Sequence, residues 1–288
     1  MKTGQKHRFV FVAALLLASC APRPHEDPSV VLERAATAAR QLQSASFDGS
    51  FSYRSSNPEF SVSGTTTGTM ADGGRQLSFN LSGDMTMPAD GPDQTVSIDA
   101  DVIVADENET YLRVDKMEGS VLMLPGIGLI PAEMKHTWFS MITASGSTSV
   151  TPDPSLLELQ TETLSVERDR SFQDVGGHDC YVYDVTLDPA KFLAFLERTA
   201  EERKQPFKRE EAQAFIDSID AHGTVWIDAE TSVIRSISWQ LKNTPGHDDM
   251  SASFTLTFAD HDVPVEIAPP ADAVPLTDAM ADTPLPLF

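Results

Sequence analysis

Three short clusters combine residue types that can act as nucleophiles, bases or metal ligands. The run HDC at positions 178–180 holds a thiol beside a base, but neighbours in a strand point to opposite faces, which argues against a catalytic dyad. The runs HDD at 247–249 and HD at 261–262 lack the spacing of HExxH or paired CxxC sites. Neither a Walker loop nor a GxSxG elbow is present. These patterns predict neither an enzyme nor a cofactor or metal site.

The charge balance excludes a second group of functions. The chain has 288 residues, with 43 Asp and Glu against 21 Lys and Arg, and a formal net charge of −22. Such a balance leaves no basic stripe to neutralise phosphates, so no nucleic-acid partner is predicted. Its simplest effect is repulsion between copies of the chain.

The remaining chemically distinctive residue is Cys20, at the end of the run LASC. Basic residues precede an apolar run that is too short to cross about 30 Å of hydrocarbon and is typical of an export signal. LASC resembles the lipobox of bacterial lipoproteins, in which the Cys becomes the lipidated first residue. We therefore expect a signal peptide at 1–19, a lipidated tether at 20–27 and an exported protein anchored through Cys20 to a membrane of the cell envelope, facing the periplasm or another extracytoplasmic space. Cys180 then has no disulfide partner and is expected to be buried.

The first element after the tether has helical spacing. Val31, Ala35, Ala38 and Leu42 recur at helical intervals behind an Asp N-cap and a Pro at the first helical position. The pattern predicts an amphipathic helix from Pro28 to Gln43. Its narrow, Ala-rich stripe suits close packing on a sheet.

From position 46 onward the spacing changes to two, with apolar residues on one face and Ser, Thr, Asn and Asp on the other. Turn signals separate the runs, and about eleven strands are predicted in all. The clearest stretch is an antiparallel meander at 222–267, in which Val233, Ile237, Trp239 and Leu241 share the apolar face. Such a one-sided sheet must be covered by other segments or by a ligand.

Two stretches interrupt the strands. Residues 188–221 predict two amphipathic helices, separated at Pro206, that would cover the sheet. Residues 121–131 read VLMLPGIGLIP, without charge and too short to span a membrane. This segment is either a buried connection under the sheet or an apolar flap at the mouth of a pocket, and the sequence leaves both open.

Several segments together resemble LppX-like and LolA/LolB-like bacterial lipoproteins: the first helix with SASFDGSFSY, the strands HTWFSMI and VGGHDCYVYDVTLDPAKF, the hairpin GTVWIDAETSVIRSISWQL and the closing FADHDVPVEIAPPADA. The resemblance implies an α+β fold, with a strongly curved antiparallel sheet forming a half barrel of about eleven strands. It also implies helices over the concave face and a cavity for acyl chains between sheet and helices. No individual ligand residue carries over, because apolar surface and not a motif grips the lipid in this family.

The combined prediction is one domain at 28–272 followed by a flexible, Pro-rich tail at 273–288. We expect it to bind or transfer a lipid or another acylated ligand, with an envelope protein as a further partner. The alternative is a ligand-free interaction or envelope-stress sensor lipoprotein of the same fold, because a filled pocket and a packed core use the same residues. The expected cavity lining comprises Phe79, Leu81, Ile98, Val102, Trp239, Phe254, Leu256 and Phe258 of the sheet, Phe192, Phe195, Phe215 and Ile219 of the helices, and Leu122, Leu124, Ile127 and Leu129 of the flap.

Overall fold

The computed structural model describes residues 26–57, 59–89, 91–106, 109–118, 123–124, 128–129, 135–142, 163–202, 206–244 and 249–276. The described helices are α1 (Pro28–Gln41), α2 (Pro189–Glu202) and α3 (Arg209–Asp217). The described strands are β1 (Ala45–Ser56), β2 (Glu59–Ala71), β3 (Gln76–Ala89), β4 (Gly91–Asp106), β5 (Glu109–Glu118), β6 (Met123–Leu124), β7 (Gly128–Leu129), β8 (Trp138–Ile142), β9 (Leu164–Val175), β10 (His178–Leu187), β11 (Ile219–Asp228), β12 (Ile234–Asn243), β13 (Met250–Ala259) and β14 (Val274–Pro275). The predicted signal peptide, Cys20, Leu122 and Ile127 lie outside the described residues.

Local chemistry explains where α1 begins. The Asp27 side chain accepts a hydrogen bond of 2.9 Å from the backbone N–H of Ser29, and Pro28 occupies the first turn, where no N–H is needed. The helix ends at Gln41, two residues before the predicted end. None of the described helices is long and apolar enough to span a membrane.

The strands form one open, curved sheet. In the described part of the chain twelve strands are ordered β14-β8-β5-β4-β3-β2-β1-β13-β12-β11-β10-β9, and β6 and β7 pair separately. All pairs are antiparallel except β14 with β8. The predicted α+β half barrel is therefore confirmed, with twelve strands in place of about eleven. Val274, in the predicted tail, pairs with β8, while residues 277–288 lie outside the described part.

A bulge corrects the predicted alternation in β12. Ile227 pairs with Ile234, and the register shifts between Trp226 and Ile227. Ile234 is consequently 8% exposed and lies in the core, whereas Val233 precedes the strand and is only partly buried. The extra residue of a bulge changes which side chains face the core, a change that strict alternation does not include. Val233 nevertheless borders the same small space beside α1 as Ile234 and Phe258, so the bulge adds Ile234 to the core without moving Val233 to the outer face.

The core lies under α1. Val31, Leu32 and Ala35 of α1 belong to one buried cluster with apolar side chains of β9 to β12. Trp239 is a member of this cluster and is 7% exposed, which confirms its predicted inward orientation. Helix α3 packs against α2 and β11. Two smaller clusters lie in β4 and β5, and between the end of α1 and β1 to β4.

The opposite face of the sheet is polar. The Arg113 guanidinium donates to Asp101 at 2.5 Å and to Asp115 at 3.1 Å, and it lies 4.9 Å from the centre of the Trp138 ring. Asn80 donates to Asp101 at 3.2 Å. Such polar pairs keep the outer face in contact with solvent, as the alternation of the sequence predicts.

Candidate functional site

The apolar face of the sheet is assembled by strand register. Residues paired across antiparallel strands share a face, so continuous rows can be followed from strand to strand. One row contains Tyr183, Val225, Ile237, Leu256, Gly49, Thr66, Leu81, Ala100 and Val114. The same register places all the predicted sheet residues on this face, namely Phe79, Leu81, Ile98, Val102, Trp239, Phe254, Leu256 and Phe258.

The face is unevenly covered. Under α1, Val225 and Ile237 are buried. In the middle of β3 and β13, by contrast, Leu81, Phe254 and Leu256 are only partly buried. A band of partly buried apolar side chains therefore continues from the packed core across β13 and β1 to β3.

Glycine residues lie beneath this band and let its side chains pack close to the backbone. A Cβ placed at Gly64 would lie 2.8 Å from Cζ of Phe51, and one placed at Gly68 would lie 2.8 Å from Cζ of Phe47. Real Cβ atoms do not approach so closely, so both rings lie against bare backbone of β2. The same face also contains Gly49 and Gly83. Together these glycines form a strip of bare backbone, the glycine trough, over which neighbouring apolar side chains already pack.

The helices contribute less to the face than their sequences predicted. Phe192 and Phe195 of α2 are partly buried, and Ile219, the first residue of β11, packs against the main core. Phe215 is 56% exposed, while its neighbour Ile216 is the buried residue of α3. Phe215 is therefore not brought to the apolar face. Both residues fit the helical period, so the period alone does not select between them.

The predicted flap is described in part. Leu124 and Leu129 belong to β6 and β7, where Met123 pairs with Leu129 and Leu124 with Gly128. These pairs form a short hairpin apart from the large sheet. Its role as a flap stays a prediction.

A cleft that the sequence did not reveal opens at the hairpin tips. It has a volume of about 550 Å³ and lies where β1–β2, β3–β4 and β12–β13 turn. Phe60, Met87 and Met250 contribute apolar atoms, while Arg54 and Lys242 contribute charge. None of the predicted lining residues in the sheet and helices, whose side chains the structure describes, borders this cleft, which lies at the end of the strands and not in their middle.

Two of the polar clusters singled out in the sequence, 178–180 and 261–262, meet at the β11–β12 turn, whereas His247 and Asp248 lie outside the described residues. Asp228, 2% exposed, accepts from Arg235 at 2.9 Å and lies 3.0 Å from Nδ1 of His178. Arg235 is 3.1 Å from Nδ1 of His261, whose Nε2 lies 3.3 Å from a backbone carbonyl oxygen. The Cys180 thiol faces the His178 carbonyl at 3.5 Å and not its ring. Arg235 thus ties three strands and the segment after β13 together.

The electrostatics of this cluster favour a structural role over a catalytic or metal-binding one. Burial raises the pKa of the Cys180 thiol to about 11, so it stays protonated and weakly nucleophilic at neutral pH. Burial and the adjacent Arg235 lower the pKa of His261, which favours the neutral ring. A guanidinium beside both imidazoles also opposes a metal cation. Within the described ranges no group of three or more His, Cys, Asp or Glu is arranged to hold a metal ion.

A buried carboxylate and a buried hydroxyl differ sharply in their hydrogen bonding. Burial by itself would raise the pKa of Asp228, but the backbone N–H groups of Thr231 and Glu230 and the Arg235 guanidinium outweigh it and lower that pKa to about 2. The hydroxyl of Tyr183, 0% exposed, has no hydrogen-bond partner among the described residues. Burying an unpaired hydroxyl costs about 1–3 kcal/mol. Tyr183 is therefore an exception that packing alone does not explain.

Comparison with known proteins gives likenesses of fold. No family model matches the sequence, and no curated protein matches it. LprF from Mycobacterium bovis is 12% identical with a TM-score of 0.43, covering 84% of this chain and 96% of that one. The lipoprotein LppX from Mycobacterium tuberculosis is 14% identical with a TM-score of 0.39, covering 84% and 100%.

The Pseudomonas aeruginosa MucA/MucB complex is more distant. The matched chain is 16% identical with a TM-score of 0.27, covering 84% of this chain and 59% of that chain. The chain is thus similar in fold to LppX-like lipoproteins, as its sequence indicated. At these identities the likeness concerns the fold alone.

Proposed function

We propose that this protein is a membrane-anchored lipoprotein that binds the acyl chains of a lipid on the concave face of its sheet. The observation that carries the proposal is the band of partly buried apolar side chains over the glycine floor, including Phe51, Leu81, Phe254 and Leu256. Apolar side chains that keep some exposure on neighbouring strands leave area that an apolar ligand can cover.

The energetics suit an apolar ligand without a specific polar motif. Each methylene removed from water contributes about 0.8 kcal/mol, so about ten buried methylenes contribute about 8 kcal/mol before the losses of freedom on binding. Partly buried Phe and Leu side chains still have some apolar area left to bury. Acidic residues on the outside would not oppose this contact, because the chains lie on the inner face.

The anchor is the second part of the proposal. A lipidated Cys20 would hold the domain at a membrane, and two or more acyl chains make such anchoring durable. A tether of about eight residues would keep α1 and the concave face close to that membrane. Lipid could then be received from or presented to the same bilayer.

One bulky substitution distinguishes the lipid-binding proposal from the alternative, a ligand-free interaction or sensor lipoprotein. Leu256→Trp places extra volume on the inner face of β13, and Thr65→Trp adds the same side chain to the exposed outer face of β2. If the band holds lipid, Leu256→Trp reduces lipid uptake and leaves the unfolding midpoint near that of the parent. The Thr65→Trp control retains both.

The measurement combines native mass spectrometry of the protein purified from membranes with chemical denaturation. A co-purifying lipid that is diminished in Leu256→Trp supports the proposal. If the parent carries no lipid and Leu256→Trp is destabilised by about 1–3 kcal/mol through overpacking, the face is a packed core and the lipid-binding proposal is wrong.

A further inference from the structure

We propose that the hydroxyl of Tyr183 donates a hydrogen bond to an ester carbonyl of the bound lipid, and that α1 is the lid whose displacement admits that carbonyl. This inference rests on the proposed lipid-binding function and adds the chemical class of the ligand and the route by which it enters.

The unpaired hydroxyl is the first observation. Tyr183 is among the largest fully buried side chains, and its oxygen has no partner in the part of the chain that the structure describes. Phe would fill nearly the same space without leaving a buried donor unpaired. Burial raises the pKa of Tyr183, so the group is a neutral donor at physiological pH.

The neighbouring tyrosine provides an internal comparison. The rings of Tyr181 and Tyr183 stack with centroids 6.2 Å apart and planes inclined by 8°. The Tyr181 hydroxyl donates to Oε1 of Glu26 at 2.9 Å, and Glu26 also pairs with Arg34 at 2.9 Å. Of two tyrosines in one strand under the same helix, one therefore has an acceptor among the described residues and the other does not. The Tyr183 hydroxyl is therefore still able to donate a hydrogen bond to a ligand. Because its side chain is fully buried, a ligand acceptor would reach it only after a neighbouring element moves.

Helix α1 is the part of this cluster that can move without breaking the sheet. The other members of the cluster are strand residues held by backbone ladders, whereas α1 contributes only the side chains of Val31, Leu32 and Ala35. Displacing a strand would break many hydrogen bonds at once. Displacing α1 breaks side-chain packing and the contact of Glu26 with Tyr181.

The two ends of α1 are held unequally. After the helix, Gln43 N–H donates to Asp262 at 2.8 Å, and the Ser44 hydroxyl donates to the Val263 carbonyl at 2.6 Å. At the N-terminal end, Glu26 accepts a hydrogen bond of 2.9 Å from the Tyr181 hydroxyl of the sheet, whereas its ion pair with Arg34 joins it to α1 itself. The contact of Glu26 with Tyr181 is therefore the latch, and α1 swings about its C-terminal end.

Register connects the space under α1 with the glycine trough. Tyr183 and Leu256 belong to one cross-strand row and are separated by three strand spacings, about 14 Å. Once α1 is displaced, an acyl chain whose carbonyl meets Tyr183 would cross Val225 and Ile237, which α1 covers, and reach the trough. An ester is the acceptor that suits the site, because it adds a carbonyl oxygen to an otherwise apolar molecule and carries no charge to desolvate.

The test asks whether the Tyr183 hydroxyl contributes to binding only when the ligand has an ester carbonyl. The parent protein, Tyr183→Phe and the matched control Tyr181→Phe are titrated with dioleoylglycerol, which has two ester carbonyls, and with its dioleyl ether analogue, which has none. Tyr183→Phe is expected to weaken binding of the ester by about 2- to 12-fold and to leave binding of the ether unchanged. Tyr181→Phe, which loosens the latch, should change both affinities by the same factor.

The outcomes separate this inference from the function on which it rests. If the parent binds neither probe, the lipid-binding function itself fails. Suppose instead that the parent binds both probes and that Tyr183→Phe binds them with the same affinities. The lipid-binding function then stands, but the hydroxyl bonds at most a buried water molecule, and the inference is overturned.

Hydrogen exchange tests the lid. Loading the parent with dioleoylglycerol is expected to increase exchange of the amides of Val31 to Ala39 in α1, while the amides of β10 and β11 stay protected. Equal or greater protection of α1 in the loaded protein would overturn the lid.

Discussion

The ring of Phe51 lies across the backbone of Gly64 in the adjacent strand, so closely that a Cβ at Gly64 would stand 2.8 Å from the ring's Cζ. The same Cβ would also clash with the Ser82 carbonyl oxygen, which is backbone and cannot rotate away. The glycine is therefore what allows an aromatic ring to lie flat on the sheet. It also sets the depth of the apolar trough.

Gly64→Ala should accordingly destabilise the fold, although alanine usually stabilises a chain relative to glycine. The added methyl must push Phe51 and the backbone of β3 apart, with an expected loss of about 1–3 kcal/mol. Thr65→Ala, at the exposed neighbouring position, should change stability by less than about 0.5 kcal/mol. Denaturant unfolding of the three proteins measures both. A Gly64→Ala variant as stable as the parent would mean that the ring does not rest on this strand.

Trp239→Ala should produce a large loss because the indole fills the main core over Gly223. Removing a buried Trp costs about 3–5 kcal/mol. Gln240→Ala, which changes the exposed neighbour, serves as the control and should remain within about 0.5 kcal/mol of the parent. A loss below about 1 kcal/mol at Trp239 in chemical denaturation would contradict its place in the core.

Asp228 should make stability depend on acid pH. Its pKa is lowered from 3.8 to about 2 in the folded chain, so the folded state favours the ionised form. The resulting contribution, about 2 kcal/mol, is complete above the ordinary carboxyl pKa and is lost as the pH falls from about 4 to about 2. The difference in unfolding free energy between the parent and Asp228→Asn should therefore be largest at neutral pH and narrow across that window. A difference that stays constant from pH 7 to pH 2 would contradict the assignment.

Cys20→Ala tests the anchor. Without the thiol no lipid can be attached at the predicted position, and the variant should appear in the soluble fraction where the parent sediments with membranes. Cell fractionation with detection of the protein in each fraction measures this. Cys180→Ala is the matched control and should leave membrane association unchanged, since its thiol is buried in β10. Unaltered sedimentation of the Cys20→Ala variant would remove the anchor from the proposal.

Local rules written in the sequence were sufficient for the elements. The Asp27 cap and the Ala-rich stripe predicted α1 to within two residues at its C-terminal end. Strand alternation predicted the one-sided sheet, the inward orientation of Trp239 and the seven other sheet residues that share its face. These features follow from spacing along the chain, because side chains two apart in a strand always share a face.

Only the tertiary structure decided what each face meets. Spacing could not show that β1 pairs with β13, that a bulge brings Ile234 into the core, or that Phe215 remains outside. Nor could it show that Tyr183 is buried under α1 without an acceptor in the described part of the chain, while Tyr181 finds Glu26. Each of these depends on contacts between segments far apart in sequence. A local pattern fixes the direction of a side chain, whereas its partner is fixed by whichever distant segment packs above it.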